Sequence, residues 1–237
     1  LMPVDDARAA MLAQVAALPA ETVALKTAIG RVLAEDVTAV RHQPPFDASA
    51  MDGWALRSAD APGTLAVVGE SAAGHGYEGE LKPGQAVRIF TGAAMPAGAD
   101  TIVIQEDATR EGDRVTVSAS APGANLRPAG GDFKAGQALL SAGTRIDPWR
   151  LSLAASAGRA EVLVHARPRV AIVSTGEEIV EAPAAPGPYQ IYDSGAPALA
   201  AMVEGWGGLA FKCKPVRDEL DAVIAAYRPT EAAVEET

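Results

Sequence analysis

The segment RVAIVSTGEEI at residues 169–179 decides the fold class that we expect for the last part of the chain. It begins with a continuous apolar run, Val170–Val173, as in parallel strands that are buried on both faces. Alternation of strand and helix after such a run is typical of a doubly wound parallel sheet. Two strands are too few for this sheet, so we expect an incomplete α/β domain. The elements predicted after the first strand are a helix at 197–206 closed by two glycines, a strand at 209–213, a helix at 218–227 and a tail from Pro229.

Upstream of this segment, from about Val37 to Ala142, glycine and proline separate short β-prone runs. The Glu111-Gly112-Asp113 step is a hairpin signal just before the last of these runs. Strands at this spacing, with no helical period between them, predict a small β-barrel or sandwich. The four runs predicted as strands are 65–68, 86–90, 101–104 and 114–117.

Helices are predicted on both sides of this β-rich stretch. The first is capped by Asp5 or Asp6 and carries Met11, Leu12, Val15 and Leu18 at helical spacing until Pro19, and a brief helix follows at 27–34. Asp147-Pro148 starts another helix, which ends before Gly158. We expect Trp149, Leu151 and Leu153 of this helix to pack against the N-terminal helices.

Together these elements predict a multidomain chain of the α+β and α/β classes. Residues 1–40 and 140–167 are expected to form a discontinuous linker or dimerisation domain. Residues 41–139 form the inserted β-barrel-like domain, and residues 168–237 form the incomplete, partial α/β domain.

Composition excludes several classes of function. The net charge of −10 argues against broad binding to nucleic acid or to anionic membranes. No apolar stretch reaches the roughly 18 residues of a membrane helix, and the acidic start is unlike a signal peptide. The single cysteine, Cys213, indicates a reducing compartment, and hence the cytoplasm, and we expect it to be a buried strand thiol. Three widely separated histidines make a histidine zinc site a poor hypothesis.

Two polar clusters lie within the β-rich stretch. In PPFDASAMDGWA at residues 44–55, Gly53 follows Asp52 at a bend, so the carboxylate can either face a cation or bond to its own turn. In RIFTG at 88–92, a strand runs into Thr91, whose hydroxyl and neighbouring N–H groups suit an oxyanion. Hairpin geometry alone would also explain that second cluster.

Two further clusters follow. In NLRPAGGD at residues 125–132, Arg127 can pair with an anion while Asp132 holds Mg²⁺, or the two can form an ordinary surface salt bridge. Ser174-Thr175-Gly176-Glu177-Glu178 comes directly after the apolar strand, where α/β sheets bind phosphates. QIYDS at 190–194 supplies more donors, and Ser194 is also a candidate helix cap.

These clusters, in this order and spacing, resemble the MoeA family of molybdenum cofactor synthesis, to which the E domain of gephyrin is related. The strings that carry the resemblance are PPFDASAMDGWA at 44–55, RIFTGAAMPAGADTIVIQED at 88–107, NLRPAGGD at 125–132, RVAIVSTGEEI at 169–179 and QIYDS at 190–194. The likeness fades after about Asp218, and Gly131 and Gly195 depart from the family pattern. We therefore expect the chain to represent the N-terminal portion of such a protein.

The resemblance implies an elongated homodimer with a linker domain, a β domain and a molybdopterin-binding α/β domain. It implies a molybdopterin molybdenumtransferase that takes adenylylated molybdopterin and molybdate, with Mg²⁺, and yields molybdenum cofactor and AMP. Other molybdenum cofactor synthesis proteins are then expected partners. The active site is expected in a cleft between the β domain of one subunit and the α/β domain of the other.

The site residues are assigned by their match to the family motifs. Asp52, Thr91, Asp132 and Glu178 match the catalytic residues, and Asp218 matches the step after the second strand. Of these, Asp52, Asp132 and Glu178 are expected to hold the metal through subunit pairing. The residues expected to bind the cofactor are Arg127, Ser174, Thr175, Gly176, Asp193 and Ser194.

Two rival functions remain open. One is a non-catalytic scaffold or partner-binding protein on the same frame, as the gephyrin relationship implies. The other is a small-ligand binding module unrelated to molybdenum. Binding of adenylylated molybdopterin by the purified chain discriminates between the leading hypothesis and the second rival.

Overall fold

A computed structural model of the chain describes residues 2–226. The α-helices are α1 Val4–Leu12, α2 Pro148–Ser156 and α3 Gly195–Gly205, with 3₁₀ helices at Leu25–Thr27, Ser58–Asp60 and Gln105–Asp107. The strands are β1 Ala20–Ala24, β2 Val37–Thr38, β3 Ala48–Ser49, β4 Gly53–Leu56, β5 Gly63–Ser71, β6 Gln85–Ile89, β7 Thr101–Ile104, β8 Ala108–Glu111, β9 Arg114–Val117, β10 Leu126–Arg127, β11 Ala138–Leu140, β12 Glu161–His165, β13 Arg169–Ile172, β14 Ile179–Val180, β15 Ile191–Tyr192 and β16 Leu209–Lys212.

The chain divides into two compact units. The first unit contains the residues up to Asp36, Ser141–Leu151 and the residues from Ala160 onward. The second unit contains Val37–Leu140 and Ser152–Arg159. Within residues 2–226, no helix is both long enough and apolar enough to cross a lipid bilayer.

The second unit is built on a six-stranded mixed sheet in the order β7-β4-β6-β5-β9-β8. Its strands pair antiparallel except for β5 and β6, which run parallel. The four predicted strands are confirmed as β5, β6, β7 and β9. The strands β7 and β8 lie at opposite edges of this open sheet, so the six strands do not close into a barrel among themselves.

The core of this sheet is centred on β4, in which every residue is buried. Leu56, Val87 and Val115 are fully buried from three different strands, and Trp54 packs in the same cluster. In β9 the burial alternates with the pleat, as expected for a strand that turns one face to the core. The predicted hairpin is confirmed as well, because Glu111 pairs with Arg114 across a two-residue turn whose Gly112 has φ +59°.

The N-terminal helix prediction is wrong in both its cap and its length. The N-cap of α1 is Pro3, which offers no side-chain cap, and the helix ends at Leu12. It has no buried residue, and Trp149 is 84% exposed, so the predicted packing between these helices is not present in the single chain. An amphipathic helix needs an apolar partner to be stable, and without one the periodic pattern through Leu18 does not extend α1.

The brief helix predicted at 27–34 is also wrong. Only Leu25–Thr27 forms a 3₁₀ turn, and beyond it the backbone bonds to distant segments. The N–H of Leu33 donates to Thr144 O at 2.9 Å, and the N–H of Ala34 donates to Leu163 O at 2.9 Å. Leu33 itself is fully buried. Long-range pairing therefore replaced the helical hydrogen bonds that the local spacing favoured.

The helix α2 confirms its predicted boundaries. Asp147 Oδ1 accepts a hydrogen bond from the N–H of Arg150 at 2.8 Å, which is an N-cap contact. Pro148 occupies the first helical position, and Gly158 adopts φ +85° just past the end.

The last part of the first unit confirms the strand-helix-strand order. β13 and β16 pair in parallel, and α3 lies between them in the chain. The prediction that this strand is buried on both faces is wrong, because only Ile172 of β13 is buried and its other residues are half-buried. In the described residues β13 pairs with β16 alone, and so small a sheet is not covered by helices on both of its faces. Cys213 is likewise half-buried and follows β16, which corrects the expected buried strand thiol.

The final predicted helix is described only in part. Residues 220–226 are helical, two positions later than the predicted start at Asp218. Tyr227, the predicted stop at Arg228-Pro229 and the tail at 229–237 lie outside the described residues.

Candidate functional site

The segment 43–53 of the second unit joins three of the polar clusters through its backbone. The N–H of Ser49 donates to Ala93 O at 2.9 Å, and the N–H of Gly92 donates back to Ser49 O at 2.8 Å. On its other side, Ser49 pairs with Leu126 in the short ladder between β3 and β10. The loops after β6 and around β10 are therefore attached to one central segment, although 69 residues of sequence, 56–124, separate the first of the three clusters from the last.

Gly53 fixes the point at which this segment enters the sheet. A Cβ at residue 53 would lie 2.1 Å from Val103 O, far inside van der Waals contact. The close approach is needed because β4 pairs with β6 on one side and with β7 on the other. Only glycine fits this position, and Asp52 is consequently held directly at the strand start.

Asp52 is bound by Thr91 rather than by its own turn. Its Oδ1 accepts hydrogen bonds from the backbone N–H and from the hydroxyl of Thr91, each at 2.8 Å. These two donors, with a smaller effect of the Arg88 charge, lower the pKa of Asp52 below its usual value. No hydrogen bond donor of the described residues reaches Oδ2. The carboxylate is therefore ionised at neutral pH and keeps one oxygen open.

We expect Thr91→Val to raise the pKa of Asp52, because this change removes the hydroxyl donor and keeps the backbone N–H. A carboxylate whose pKa is lowered by folding stabilises the fold above the pKa of the unfolded chain, and this stabilisation disappears as pH falls through the folded pKa. In the variant the loss should therefore begin at a higher pH. Carboxyl ¹³C NMR titration measures the shift. Thr109→Val, an exposed position in β8, is the matched control and should leave the Asp52 titration unchanged.

Arg88 stabilises the backbone at Asp52 and Gly53, a role that the sequence analysis missed. Its guanidinium lies over the rings of Trp54 at 5.3 Å and Phe90 at 4.9 Å. It donates to Gly53 O at 3.2 Å and to Gln105 Oε1 at 2.7 Å. The N–H of Gln105 in turn donates to Asp52 O at 3.0 Å. An aromatic residue two positions from an arginine in a run predicted as a strand, as in Arg88 and Phe90, was the available signal.

Arg127 and Asp132 bind each other. Nη2 of Arg127 donates to both carboxylate oxygens of Asp132, at 2.8 and 3.0 Å. Both side chains are about half exposed, so the pair has the geometry of the surface salt bridge that was one of the two readings of this cluster. A cation on Asp132 would have to compete with this guanidinium.

We expect Arg127→Ala to change the free energy of unfolding by less than about 1 kcal/mol, because an exposed pair is well solvated in either case. Urea denaturation followed by fluorescence measures the change. A loss above about 2 kcal/mol would mean that the pair is structural and is not available for ligands.

In the first unit, Ser174 and Asp193 are brought together. Ser174 Oγ donates to Asp193 Oδ2 at 2.8 Å, and the N–H of Ala196 donates to Asp193 Oδ1 at 3.0 Å. The N–H of Ala196 and the Ser174 hydroxyl, with a smaller effect of Lys212, lower the pKa of Asp193. The cap of α3 is thus Asp193, whereas the candidate cap Ser194 is exposed and makes no side-chain cap bond.

Asp193 and Ser194 are expected to respond differently to mutation. Asp193→Ala should lower the thermal midpoint of unfolding by about 2–4 °C, because α3 loses its cap and Ser174 loses its acceptor. Ser194→Ala should leave the midpoint unchanged. Differential scanning calorimetry of both variants measures this, and equal effects of the two changes would contradict the assignment of the cap.

The remaining residues of the 174–178 cluster lie around a backbone bridge. The N–H of Gly176 donates to Val216 O at 3.0 Å, so it is not available to a phosphate in this arrangement. Gly176 has φ +139°, and a Cβ there would lie 2.5 Å from Glu178 Oε2. Thr175, Glu178 and Asp218 are exposed.

The metal prediction requires residues of both units. In the part of the chain that the structure describes, no group of three or more His, Cys, Asp or Glu side chains could hold a metal ion. Asp52, Asp132 and Glu178 were expected to meet only through subunit pairing, so their joint role stays a prediction.

The family model described as the MoeA N-terminal region (domain I and II) matches residues 2–158. The chain belongs to the MoeA family.

Individual MoeA relatives extend this similarity. A molybdopterin molybdenumtransferase of Nostoc sp. is 43% identical over 194 residues, which are 78% of this chain and 44% of the relative. One of Haemophilus influenzae is 38% identical over 210 residues, which are 86% of this chain and 52% of the relative. The chain thus spans about half the length of the curated relatives that it matches.

A solved MoeA structure shows the same fold. The crystal structure of the molybdopterin biosynthesis moeA protein from Pyrococcus horikoshii OT3 superposes with a TM-score of 0.91 at 31% sequence identity. The match covers 98% of this chain and 64% of that structure's chain. The resemblance drawn from the five sequence strings is therefore confirmed at the level of family and fold.

Proposed function

We propose that this chain acts in molybdenum cofactor biosynthesis as part of a molybdopterin molybdenumtransferase. The proposed reaction inserts molybdate into adenylylated molybdopterin with Mg²⁺ and releases AMP. The names of the MoeA relatives support the general role, and the site residues support the finer chemistry. A cytoplasmic location is part of the same proposal, because a chain with a single cysteine suits a reducing compartment.

The observation that carries the proposed chemistry is the ionised carboxylate of Asp52 with one open oxygen. Molybdate and the phosphates of the substrate are anions, so they would be repelled by Asp52 unless a cation lay between them. Mg²⁺ prefers oxygen ligands and binds through one or two carboxylates plus phosphates and waters, which suits Asp52. Bound there, the ion would neutralise phosphate charge during cleavage of the adenylate.

The protein residues have separate roles in this proposal. Thr91 holds Asp52 in its ionised form and orients it. Asp132 contributes to the cation only when Arg127 turns to an anionic ligand, since the two side chains now satisfy each other. Ser174, Thr175 and Asp193 would contact molybdopterin. Glu178 and Asp218 would be the remaining acidic residues of the catalytic site.

We further propose that the protein works as a homodimer that brings the two halves of the site together. The helix α1 has no buried residue, and Trp149 is 84% exposed, so a second copy would have apolar surface to cover. Light scattering measures the mass in solution, and a clean monomer at high concentration would contradict this proposal.

Isothermal titration of adenylylated molybdopterin into the purified chain tests the proposed chemistry. We expect binding in the presence of Mg²⁺ and much weaker binding in EDTA. Equal affinity in both conditions would contradict the cation bridge, and no binding in either condition would contradict the proposed substrate for this chain.

A further inference from the structure

A cleft in the first unit lies among three arginines that the proposed function does not use. Its polar lobe, of about 320 Å³, is lined by Arg31, Arg145 and Arg167 together with Glu204. An adjoining lobe of about 250 Å³ shares Arg31 and Arg167 with it. Every lining residue belongs to the first unit. The cleft therefore concentrates positive charge on a chain whose net charge is −10.

The charge of these arginines is only partly neutralised by protein groups. Arg31 pairs with Glu21, but no carboxylate of the described residues forms a salt bridge with Arg145 or Arg167. Arg145 donates to Gly205 O at 2.9 Å, and Arg167 donates to the carbonyls of Gly207 and Gly208. Carbonyl dipoles orient a guanidinium without cancelling its charge, so the three arginines exceed the two neighbouring carboxylates, Glu21 and Glu204, by one positive charge.

Arg31 supplies a largely buried charge in the cleft. Its side chain is only 12% exposed, and its buried Nε has no hydrogen-bond partner within residues 2–226. This atom is closed to solvent, and Nη2 of Arg31 donates to Glu21 and to His165 O, the latter at 2.8 Å, so Arg31 lines the cleft as a fixed guanidinium that is already paired. Glu21 already pairs with Arg31, so a small oxyanion in the polar lobe would be attracted by Arg145 and Arg167, and guanidinium groups suit phosphate in particular.

The second lobe has a different character. Apolar side chains line it, among them Leu18, Val32 and Pro168, and Trp206 stands at its rim with 75% of its surface exposed. An exposed indole beside an apolar lobe is suited to stacking against a flat ring. The two lobes together reach the size of an ordinary small-molecule site.

From this pairing of lobes we infer that the cleft is a second ligand site, which binds a small phosphate monoester carrying an aromatic ring. The phosphate lies in the arginine lobe, and the ring lies in the apolar lobe against Trp206. The residues that line this site are not those of the Asp52 and Ser174 clusters. The inference therefore does not depend on whether the proposed reaction at those clusters is correct.

Titration of the purified chain with phenyl phosphate, inorganic phosphate and phenol, followed by tryptophan fluorescence and calorimetry, tests this inference. We expect phenyl phosphate to bind at least about tenfold more tightly than either fragment, because only it fills both lobes. Arg145→Gln should weaken both phosphate probes by about tenfold. Trp206→Ala should reduce phenyl phosphate to the affinity of inorganic phosphate and leave inorganic phosphate unchanged.

Controls separate this site from nonspecific charge and from the proposed reaction. Arg8→Gln removes the same charge from an exposed position of α1, outside the cleft, and should not change binding. Asp52→Asn should not change it either. Absence of binding by all probes, an unchanged affinity in folded Arg145→Gln, or an equal loss in Arg8→Gln would overturn the inference. The thermal midpoint of each variant confirms that it is folded, and Trp206→Ala remains decisive should Arg145→Gln fail to fold.

Discussion

Replacing Gly53 by alanine is expected to lower the free energy of unfolding of the second unit by about 3 kcal/mol or more. The added Cβ would lie 2.1 Å from Val103 O, and this atom belongs to the backbone of a paired strand rather than to a flexible side chain. Relief therefore requires β4 and β7 to separate, which breaks the pairing beside the core residue Leu56. Urea denaturation measures the change, with the buried Trp54 as the fluorescence probe of this unit.

Gly76→Ala in the same unit is the matched control. Its added Cβ would meet only Ala94 Cβ at 3.8 Å, an ordinary contact, and the backbone there needs no positive φ. We expect a change within about 0.5 kcal/mol. Equal destabilisation by the two substitutions would show that the close approach at Gly53 is not what restricts this position.

Replacing Asp52 by asparagine is expected to weaken the Mg²⁺-dependent binding of adenylylated molybdopterin by about a hundredfold or more. The amide keeps the size of the side chain and can still accept from Thr91, but it has lost the charge that attracts the cation. Binding measured in EDTA should stay the same, because the cation is already absent. Calorimetric titration with and without Mg²⁺ separates the two effects.

Asp107→Asn provides the comparison for this change, since it removes an exposed acidic group from the same unit. It should leave Mg²⁺-dependent binding intact. If Asp52→Asn bound the substrate with unchanged affinity in Mg²⁺, the cation would have to be placed elsewhere. The Asp107 variant would then show whether acidic groups of this unit matter at all.

The strands of the second unit were predictable because their local pattern and their final environment agree. In β9, apolar and polar residues alternate with the pleat, and the turn before it contains the glycine that a tight hairpin needs. The boundaries of α2 were predictable for the same reason, since Asp147, Pro148 and Gly158 act on the residues next to them. Local signals sufficed where local interactions decide the structure.

The failures concern residues whose partners are far away in the sequence. Residues 27–34 have helical spacing, yet Leu33 and Ala34 bond to backbone more than 100 residues later. Asp193 rather than Ser194 caps α3, and part of the reason is its additional bond to Ser174. A single sequence does not show which of several possible hydrogen-bond partners lies closest in the folded chain.

In the candidate site, too, individual residues were predictable, whereas their contacts were not. The sequence identified Asp52 and Thr91 individually, but their mutual hydrogen bonds join residues 39 positions apart. It also offered both a salt bridge and a metal role for Arg127 and Asp132, and only coordinates show that the side chains bind each other. Arg88 escaped notice because its role depends on two rings, the backbone carbonyl of Gly53 and the side-chain amide of Gln105, which meet only in space.

The double attachment of Ser49 has a consequence for protein engineering. The backbone of Ser49 is bonded to the loop after β6 on one side and to the segment around β10 on the other. Lengthening either of these loops would therefore displace the other and change the orientation of the Asp52 carboxylate. Insertions for labels or affinity tags belong instead at the Gly112-Asp113 turn, where an edge hairpin ends in solvent. Libraries that vary the two attached loops should keep their lengths constant and randomise only side chains that point outward.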